Sequence, residues 1–143
     1  MIDLANNEAR DLALIYRQMI RLLDRELAPL DLGHGRYLYL FSLYNFDGRK
    51  QQELADIIGT DKAACTRALS KLELAGMIKR QPDKKDRRAM RVYLTGKGRR
   101  LRPRLEAVLE NSITSFTGTL NASERGQLRR LLAKLAAPLA PGH

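Results

Sequence analysis

Between Lys79 and Arg104 the chain sets twelve Lys or Arg side chains against two acids, Asp83 and Asp86. The local balance of +10 equals the net charge of all 143 residues, and the rest of the chain is neutral, with fourteen residues of each sign. Cations gathered in one segment attract polyanions. Inside the segment, the charged tip from Pro82 to Ala89 separates two short runs, 78–81 and 90–94. Met90, Val92 and Leu94 alternate with Arg91 and Tyr93, the period of a half-buried hairpin strand. Immediately upstream, residues 61–75 follow helical spacing. Cys65, Leu69 and Leu72 converge on one face at roughly 100° per residue, and Ala63, Arg67 and Ser70 centre the opposite face, flanked by Thr66 and Lys71.

A helix with a small polar outer face, followed by a cationic hairpin, is how a winged helix-turn-helix holds DNA. Each side chain then has a chemical role to test. Arg67 is placed to enter the major groove and grip guanine O6 and N7 with both arms, and Ala63 to meet a thymine methyl or allow close approach. Thr66, Ser70, Lys62 and Lys71 suit phosphate or mixed contacts, which set register and affinity. Arg88, at the wing tip, suits a narrow A/T-rich minor groove, where the negative potential is concentrated. Asp86 would brace the Arg88 guanidinium through a hydrogen bond and hold it extended. Lys84, Lys85, Arg87 and Arg91 supply general attraction for phosphate. Arg99, Arg100, Arg102 and Arg104 lie beyond the wing and face either DNA or solvent. The plainer alternatives are a solvated surface arginine at position 67 and an ordinary hairpin salt bridge at 86 and 88.

Other chemistries lack their residues. The longest apolar run, Tyr37 to Tyr44, is interrupted by Ser42 and falls well short of the roughly 18 residues of a membrane span. The opening Met1-Ile2-Asp3-Leu4 has no cationic region before an apolar core, so no signal peptide is expected. The single Cys cannot form an internal disulfide, which fits a reducing cytoplasm. His34 and His143 are the only histidines, no cluster has metal-ligand spacing, and no phosphate loop or nucleophile elbow is present. No enzyme, cofactor or metal site is expected. Cys65 shares its face with Leu69 and Leu72 and reads as a core thiol rather than a redox switch.

The surrounding pattern is mainly α with a small β-hairpin. A first helix spans about 4–28, with Leu12, Ile15, Tyr16, Met19, Leu22, Leu23 and Leu27 at helical spacing, ended by Pro29 and Gly33. A second, about 34–46, aligns Tyr37, Leu40, Phe41 and Tyr44. A third, about 51–58, buries Leu54 and Ile58 and stops at Gly59. The fourth, carrying Arg67, starts with Thr60 or Asp61 as N-cap and ends at Gly76 in the left-handed position. Thr95 caps a helix over about 96–118, kinked by Pro103, with Leu101, Leu105, Val108, Leu109, Ile113 and Phe116 as its stripe. The last helix opens with a capping-box variant at Asn121 and Glu124, carries Leu128, Leu131, Leu132, Leu135 and Leu139, and frays at Pro138 and Pro141. The apolar stripes of the first and last helices are wide for lone solvent-facing helices, so a homodimer is expected to bury them.

Gln52-Glu53-Leu54-Ala55, the block from Asp61 to Ile78 with its Thr66-Arg67 and Gly76-Met77-Ile78, and Asp86-Arg87-Arg88 with Leu94-Thr95-Gly96-Lys97-Gly98 together resemble the MarR family of bacterial and archaeal transcription regulators. The resemblance covers about residues 8–138. It implies a single chain organised as dimerisation helices at 1–31 and 104–143 around a winged helix at 32–98. It further implies palindromic double-stranded operator DNA as partner, repression as the usual sign, and often release by a small aromatic or anionic effector. Tyr16, Met19, His34, Arg36 and Tyr37 are candidates to line an effector pocket at the junction of the two regions; core packing is the alternative. Two departures stand out. Lys50 replaces the Ser/Thr that usually caps the third helix, adding a cation for phosphate but weakening the cap. The first-helix Cys of peroxide-sensing relatives is absent. A protein-interaction or RNA-binding module using the same basic wing is the competing class, although the outer face of the Arg67 helix lacks large apolar anchors.

Overall fold

The computed structural model describes residues 1–139; the fray expected at Pro141, the end of the 104–143 dimerisation segment and His143 lie outside them. Helix α1 runs Glu8–Leu27, later than the expected start near residue 4, because Asn7 is its N-cap and accepts from the Arg10 backbone N–H. Pro29 sits in a short 3-10 turn after the helix, which closes on Asp31 in the left-handed conformation, before Gly33 is reached. Helix α2 spans Tyr37–Asn45, shorter than expected, because residues 33–36 form a turn closed by the Arg36 N–H on the Gly33 carbonyl. Its buried residues are Tyr39, Leu40 and Leu43. Of the anticipated stripe, Leu40 is buried, while Tyr37, Phe41 and Tyr44 are half-buried and form an edge-to-face ladder with centroids 5.6 and 5.9 Å apart.

The next stretch builds the helix-turn-helix. Strand β1, Arg49–Lys50, leads straight into α3, Gln51–Ile58, and α4 follows at Lys62–Leu74. Asp61 is the N-cap of α4, accepting from the Ala64 N–H at 2.7 Å. Gly76, at φ 77°, reverses the chain as only glycine does without strain. Strands β2, Ile78–Pro82, and β3, Met90–Leu94, pair antiparallel with Arg80 opposite Val92. Strand β1 joins on the other edge of β3, giving the order β1-β3-β2. Two residues carry no periodicity, so β1 left no trace in the pattern. One core joins these elements, running from Leu23 and Leu27 through Leu54, Cys65, Leu69 and Leu72 to Val92 and Leu105.

The helix expected over 96–118 is two helices. Helix α5, Gly96–Arg100, is capped by Thr95, and α6, Arg102–Thr117, begins after Leu101 with Pro103 in its first turn. Pro103 has no N–H for the Arg99 carbonyl, so the ladder stops there; in a first turn that donor is not needed. Proline therefore starts a helix here instead of kinking one. Helix α6 packs on α1 and buries Leu105, Val108 and Ser112, while Ile113 of the expected stripe is exposed. Helix α7, Ala122–Ala136, opens with the full capping box: Asn121 Oδ1 accepts from the Glu124 N–H, and Glu124 Oε1 from the Asn121 N–H, both at 2.9 Å.

The joint at α5 is tight. A Cβ on Gly98 would lie 2.2 Å from the Met77 carbonyl oxygen, an approach that only backbone movement relieves. A Gly98→Ala variant is expected to lose about 1–3 kcal/mol of stability, read as a lowered urea midpoint; an unchanged midpoint would show that α5 can slide away from Met77.

Candidate nucleic-acid interface

Burial of Cys65, Leu69 and Leu72, each with no exposed surface, rotates α4 so that Lys62, Ala63, Arg67 and Lys71 face solvent. Thr66 and Ser70, at the edges of that face, are half-buried and already have partners. Thr66 Oγ1 accepts from Gln51 Nε2 at 2.7 Å and donates to the Lys62 carbonyl at 2.9 Å. Ser70 Oγ accepts from Arg80 Nη2 at 3.2 Å. These two hydroxyls position α3 and β2 against α4, which makes Arg67, Lys62 and Lys71 the unencumbered polar groups of the face.

Arg80 was not singled out by sequence reasoning. Its guanidinium donates to Glu73 Oε1 at 2.9 Å, and its N–H donates to Glu73 Oε2 at 3.1 Å, tying the first wing strand to the C-terminal turn of α4. The pairing crosses a helix, a turn and a strand, so no periodic spacing announces it. It holds the Glu73 carboxyl below its ordinary value.

The wing differs from expectation at its two acids. Asp86 does not brace the Arg88 guanidinium; its Oδ1 accepts from the Arg88 backbone N–H at 3.1 Å, so it shapes the turn. Asp83, counted in the sequence only as a charge, is buried. Its Oδ1 accepts from Arg91 Nε and its Oδ2 from the Asp86 N–H at 3.0 Å. The Arg91 hydrogen bond is the main cause holding the Asp83 carboxyl below its ordinary range. Arg91 Nη1 also donates to the Gly48 carbonyl at 2.8 Å. Arg91 is therefore bound into the wing rather than offered to phosphate. Lys84, Lys85, Arg87 and Arg88 are exposed and, among the described residues, outside the ion pairs.

The wing tip folds back toward the starts of α3 and α4. Lys50, Gln52, Lys62, Asp86, Arg88 and Met90 share a cleft of about 260 Å³. Lys50 heads α3 without a side-chain cap bond. Cys65 lies at this cleft, donating to the Gln51 carbonyl with Sγ···O 3.7 Å. Burial raises its thiol pKa, which keeps it protonated and fits the core reading.

The five effector candidates are less coherent. Tyr16 is exposed, while Met19 and Tyr37 pack half-buried on the core. Burial raises the Tyr37 pKa, with a smaller contribution from nearby Tyr16. His34 Nδ1 lies 2.8 Å from Asp24 Oδ1. Arg36 keeps a buried Nε without a partner. A second cleft, about 320 Å³, is lined instead by Tyr44, Asp47, Arg99, Arg102, Leu43 and Leu94. None of the five lines either cleft.

A helix-turn-helix with an exposed cationic outer face, backed by a three-stranded basic wing, defines a winged-helix nucleic-acid-binding protein. Residues 32–90 match the MarR family model. The chain is 30% identical over 130 residues to YybA, an HTH-type transcriptional regulator of Bacillus subtilis (strain 168), covering 91% of this chain and 87% of that one. It is similar to a MarR transcriptional regulator from Methanosarcina mazei Go1, with TM-score 0.86 and 28% identity over 91% of this chain and 94% of that one. It is also similar to a cysteine-to-serine mutant of MarR from E. coli complexed with operator DNA, with TM-score 0.80 and 27% identity over 89% and 91% of the two chains. The chain belongs to the MarR family of DNA-binding transcriptional regulators. That membership makes it a regulator and not an enzyme. Among the described residues, no helix is long and apolar enough to cross a membrane.

The Glu73–Arg80 tie has a pH signature. A carboxyl whose pKa is lowered on folding stabilises the fold above its unfolded value, near 4.5, and loses that contribution as pH falls through the lowered value. Wild type is expected to be more stable than a Glu73→Gln variant in urea melts at about pH 7, with the gap closing by about pH 3. A gap of the same size at both pH values would mean that the ionic pairing adds nothing.

Proposed function

We propose that this protein is a homodimeric, sequence-specific double-stranded DNA-binding repressor. Its winged helix, residues 32–98, would read operator half-sites, and the segments 1–31 and 104–143 would pair two copies. The observation that carries the DNA reading is the outer face of α4, where Ala63, Arg67 and Lys71 stand exposed beside the unpaired cations of the wing. That face is narrow and polar, as a major-groove helix needs to be. Arg67 would bind guanine, Lys62 and Lys71 phosphate, and Arg88 the adjoining minor groove. Lys50, Lys84, Lys85 and Arg87 would add phosphate attraction. That the similar E. coli protein forms a complex with operator DNA supports operator DNA as the partner.

Pairing is supported by α7. Fifteen residues long, it buries none of its own side chains, and Leu131, Leu132 and Leu135 are exposed. Leu12, Ile15 and Tyr16 of α1 are exposed as well. An isolated chain has no reason to leave these stripes in water, and a two-fold partner would cover them. Two α4 helices related by that two-fold would then read a palindrome with half-sites about one helical turn apart. Release by a small aromatic or anionic effector would draw on the buried, unpartnered Arg36 Nε, next in sequence to Tyr37, and on Tyr16, which lies near Tyr37, with Met19 and His34 as further candidates; the protein would act in the cytoplasm.

Arg67→Ala is expected to lose about 1–3 kcal/mol per half-site against a duplex selected from a random palindrome pool, while binding to random duplex changes little. Equal loss on both duplexes would remove Arg67 as the reading residue, and preference for structured RNA would favour the competing class. Leu135→Glu is expected to convert a species of twice 16.2 kDa into one of that mass in light scattering, with loss of palindrome preference. A wild-type protein that scatters as a monomer at micromolar concentration would refute the dimer.

A further inference from the structure

Four consecutive polar links run from the body of the winged helix to the wing tip. The Gly48 carbonyl, at the corner before β1, accepts from Arg91 Nη1 at 2.8 Å. Arg91 Nε donates to Asp83 Oδ1. Asp83 Oδ2 accepts from the Asp86 N–H at 3.0 Å. Asp86 Oδ1 accepts from the Arg88 N–H at 3.1 Å. The backbone closes the same loop, with Asp83 N–H on the Ala89 carbonyl at 2.8 Å and Ala89 N–H on the Asp86 carbonyl at 3.0 Å. A two-stranded tip that carries Lys84, Lys85, Arg87 and Arg88 repels itself, and a hairpin of this size has little of its own to hold it in one place. Asp83 is the one acid in the tip that is buried, and Lys50 of β1 also lies within its electrostatic reach.

We propose that Asp83 is the positioning residue of the wing: bridged to Gly48 by Arg91 and linked through Asp86 to the Arg88 backbone, it sets where Arg88 meets DNA. It thereby sets the preference for A/T-rich flanks. The inference rests on the reading that Arg88 enters the minor groove. It carries an unusual sign. Asp83 subtracts charge from the cationic device and withholds Arg91 from phosphate, so removing it leaves a more cationic protein. If Asp83 acted only as a charge, its loss would tighten binding to every duplex. If it positions the wing, its loss leaves random-duplex binding undiminished and abolishes discrimination between flanks.

The test uses the full chain and a duplex selected from a random palindrome pool by wild type, remade with A/T or G/C flanks, beside a random duplex. Binding is followed by fluorescence anisotropy at two salt concentrations for wild type, Asp83→Asn, Arg91→Lys, Arg88→Ala and the Asp83→Asn/Arg88→Ala double variant. Lysine keeps the charge at position 91 but cannot reach Asp83 and Gly48 together. Both single variants are expected to cut the A/T-over-G/C ratio about as far as Arg88→Ala does. Random-duplex affinity should be equal to or above wild type, and the double variant should lose nothing further. Flank preference retained in Asp83→Asn and Arg91→Lys, while Arg88→Ala loses it, overturns this proposal alone. Preference retained in Arg88→Ala overturns the minor-groove reading and this proposal with it. Uniform weakening on all three duplexes assigns Asp83 to general stability and also overturns it. Circular dichroism at the binding temperature checks folding; if Asp83→Asn is unfolded, the Arg91→Lys ratio decides.

Discussion

The orientation of α4 about its own axis decides what this protein can touch. Cys65, Leu69 and Leu72 have no exposed surface, and a helix with three such side chains on one face cannot roll without withdrawing them from the core. Withdrawing even one leucine costs about 2–5 kcal/mol. Arg67, half a turn away, therefore points outward because of residues it never contacts. The caps at Asp61 and Gly76 fix where the helix starts and stops, and the Thr66 and Ser70 hydroxyls fix its two neighbours. The outward face is small and polar; the inward face is apolar and rigid.

The second constraint is electrostatic. A segment of net charge +10 has to be folded into a hairpin and a helix start without flying apart, and the structure does so by pairing cations selectively. Arg80 meets Glu73, Arg91 meets Asp83, Arg99 meets Asp47 and Arg102 meets Glu106. Lys97 donates to the Ala75 carbonyl at 2.6 Å. The twelve cations thus divide into five with a polar partner and seven exposed without one among the described residues: Lys79, Lys84, Lys85, Arg87, Arg88, Arg100 and Arg104. The number of charges available to a polyanion is smaller than the sequence total, and they cluster at the wing tip.

Local signals in the sequence were strong where the physics is local. The α4 face, the Asn121 cap, the Gly76 reversal and the alternation along β3 each depend on residues within a few positions and are legible in order, and the α4 cap is legible to within Thr60 or Asp61. Strand β1 is two residues long and exists because β3 offers an edge. The break at Leu101 follows from Pro103, but whether proline kinks a helix or begins one depends on whether the segment before it packs separately, as α5 does against Met77. The partners of Asp83, Arg91 and Arg80 come from across the hairpin or from another element, so charge counting finds the residues and misses their roles. Asp86 marks the limit most clearly: its spacing to Arg88 suggested side chain to side chain, and the bond formed is side chain to backbone.

These ties also determine how the helical frame and the wing communicate. Asp47, at the end of α2, accepts from the N–H groups of Gly48 and Leu94 and pairs with Arg99 of α5. Tyr44, one turn earlier, donates to the Gly98 carbonyl at 2.6 Å and lies beneath the Arg102 guanidinium, 5.5 Å from its ring centroid. Burial raises the Tyr44 pKa to about 12, so the phenol keeps the proton that this bond requires. The end of α2, the end of β3 and the start of α6 are thus gripped at one corner, beside the close approach of Gly98 to Met77. The central strand β3 is bonded to β1 on one edge and to β2 on the other. The outward face of α4 is held separately, by Cys65, Leu69 and Leu72 in the core.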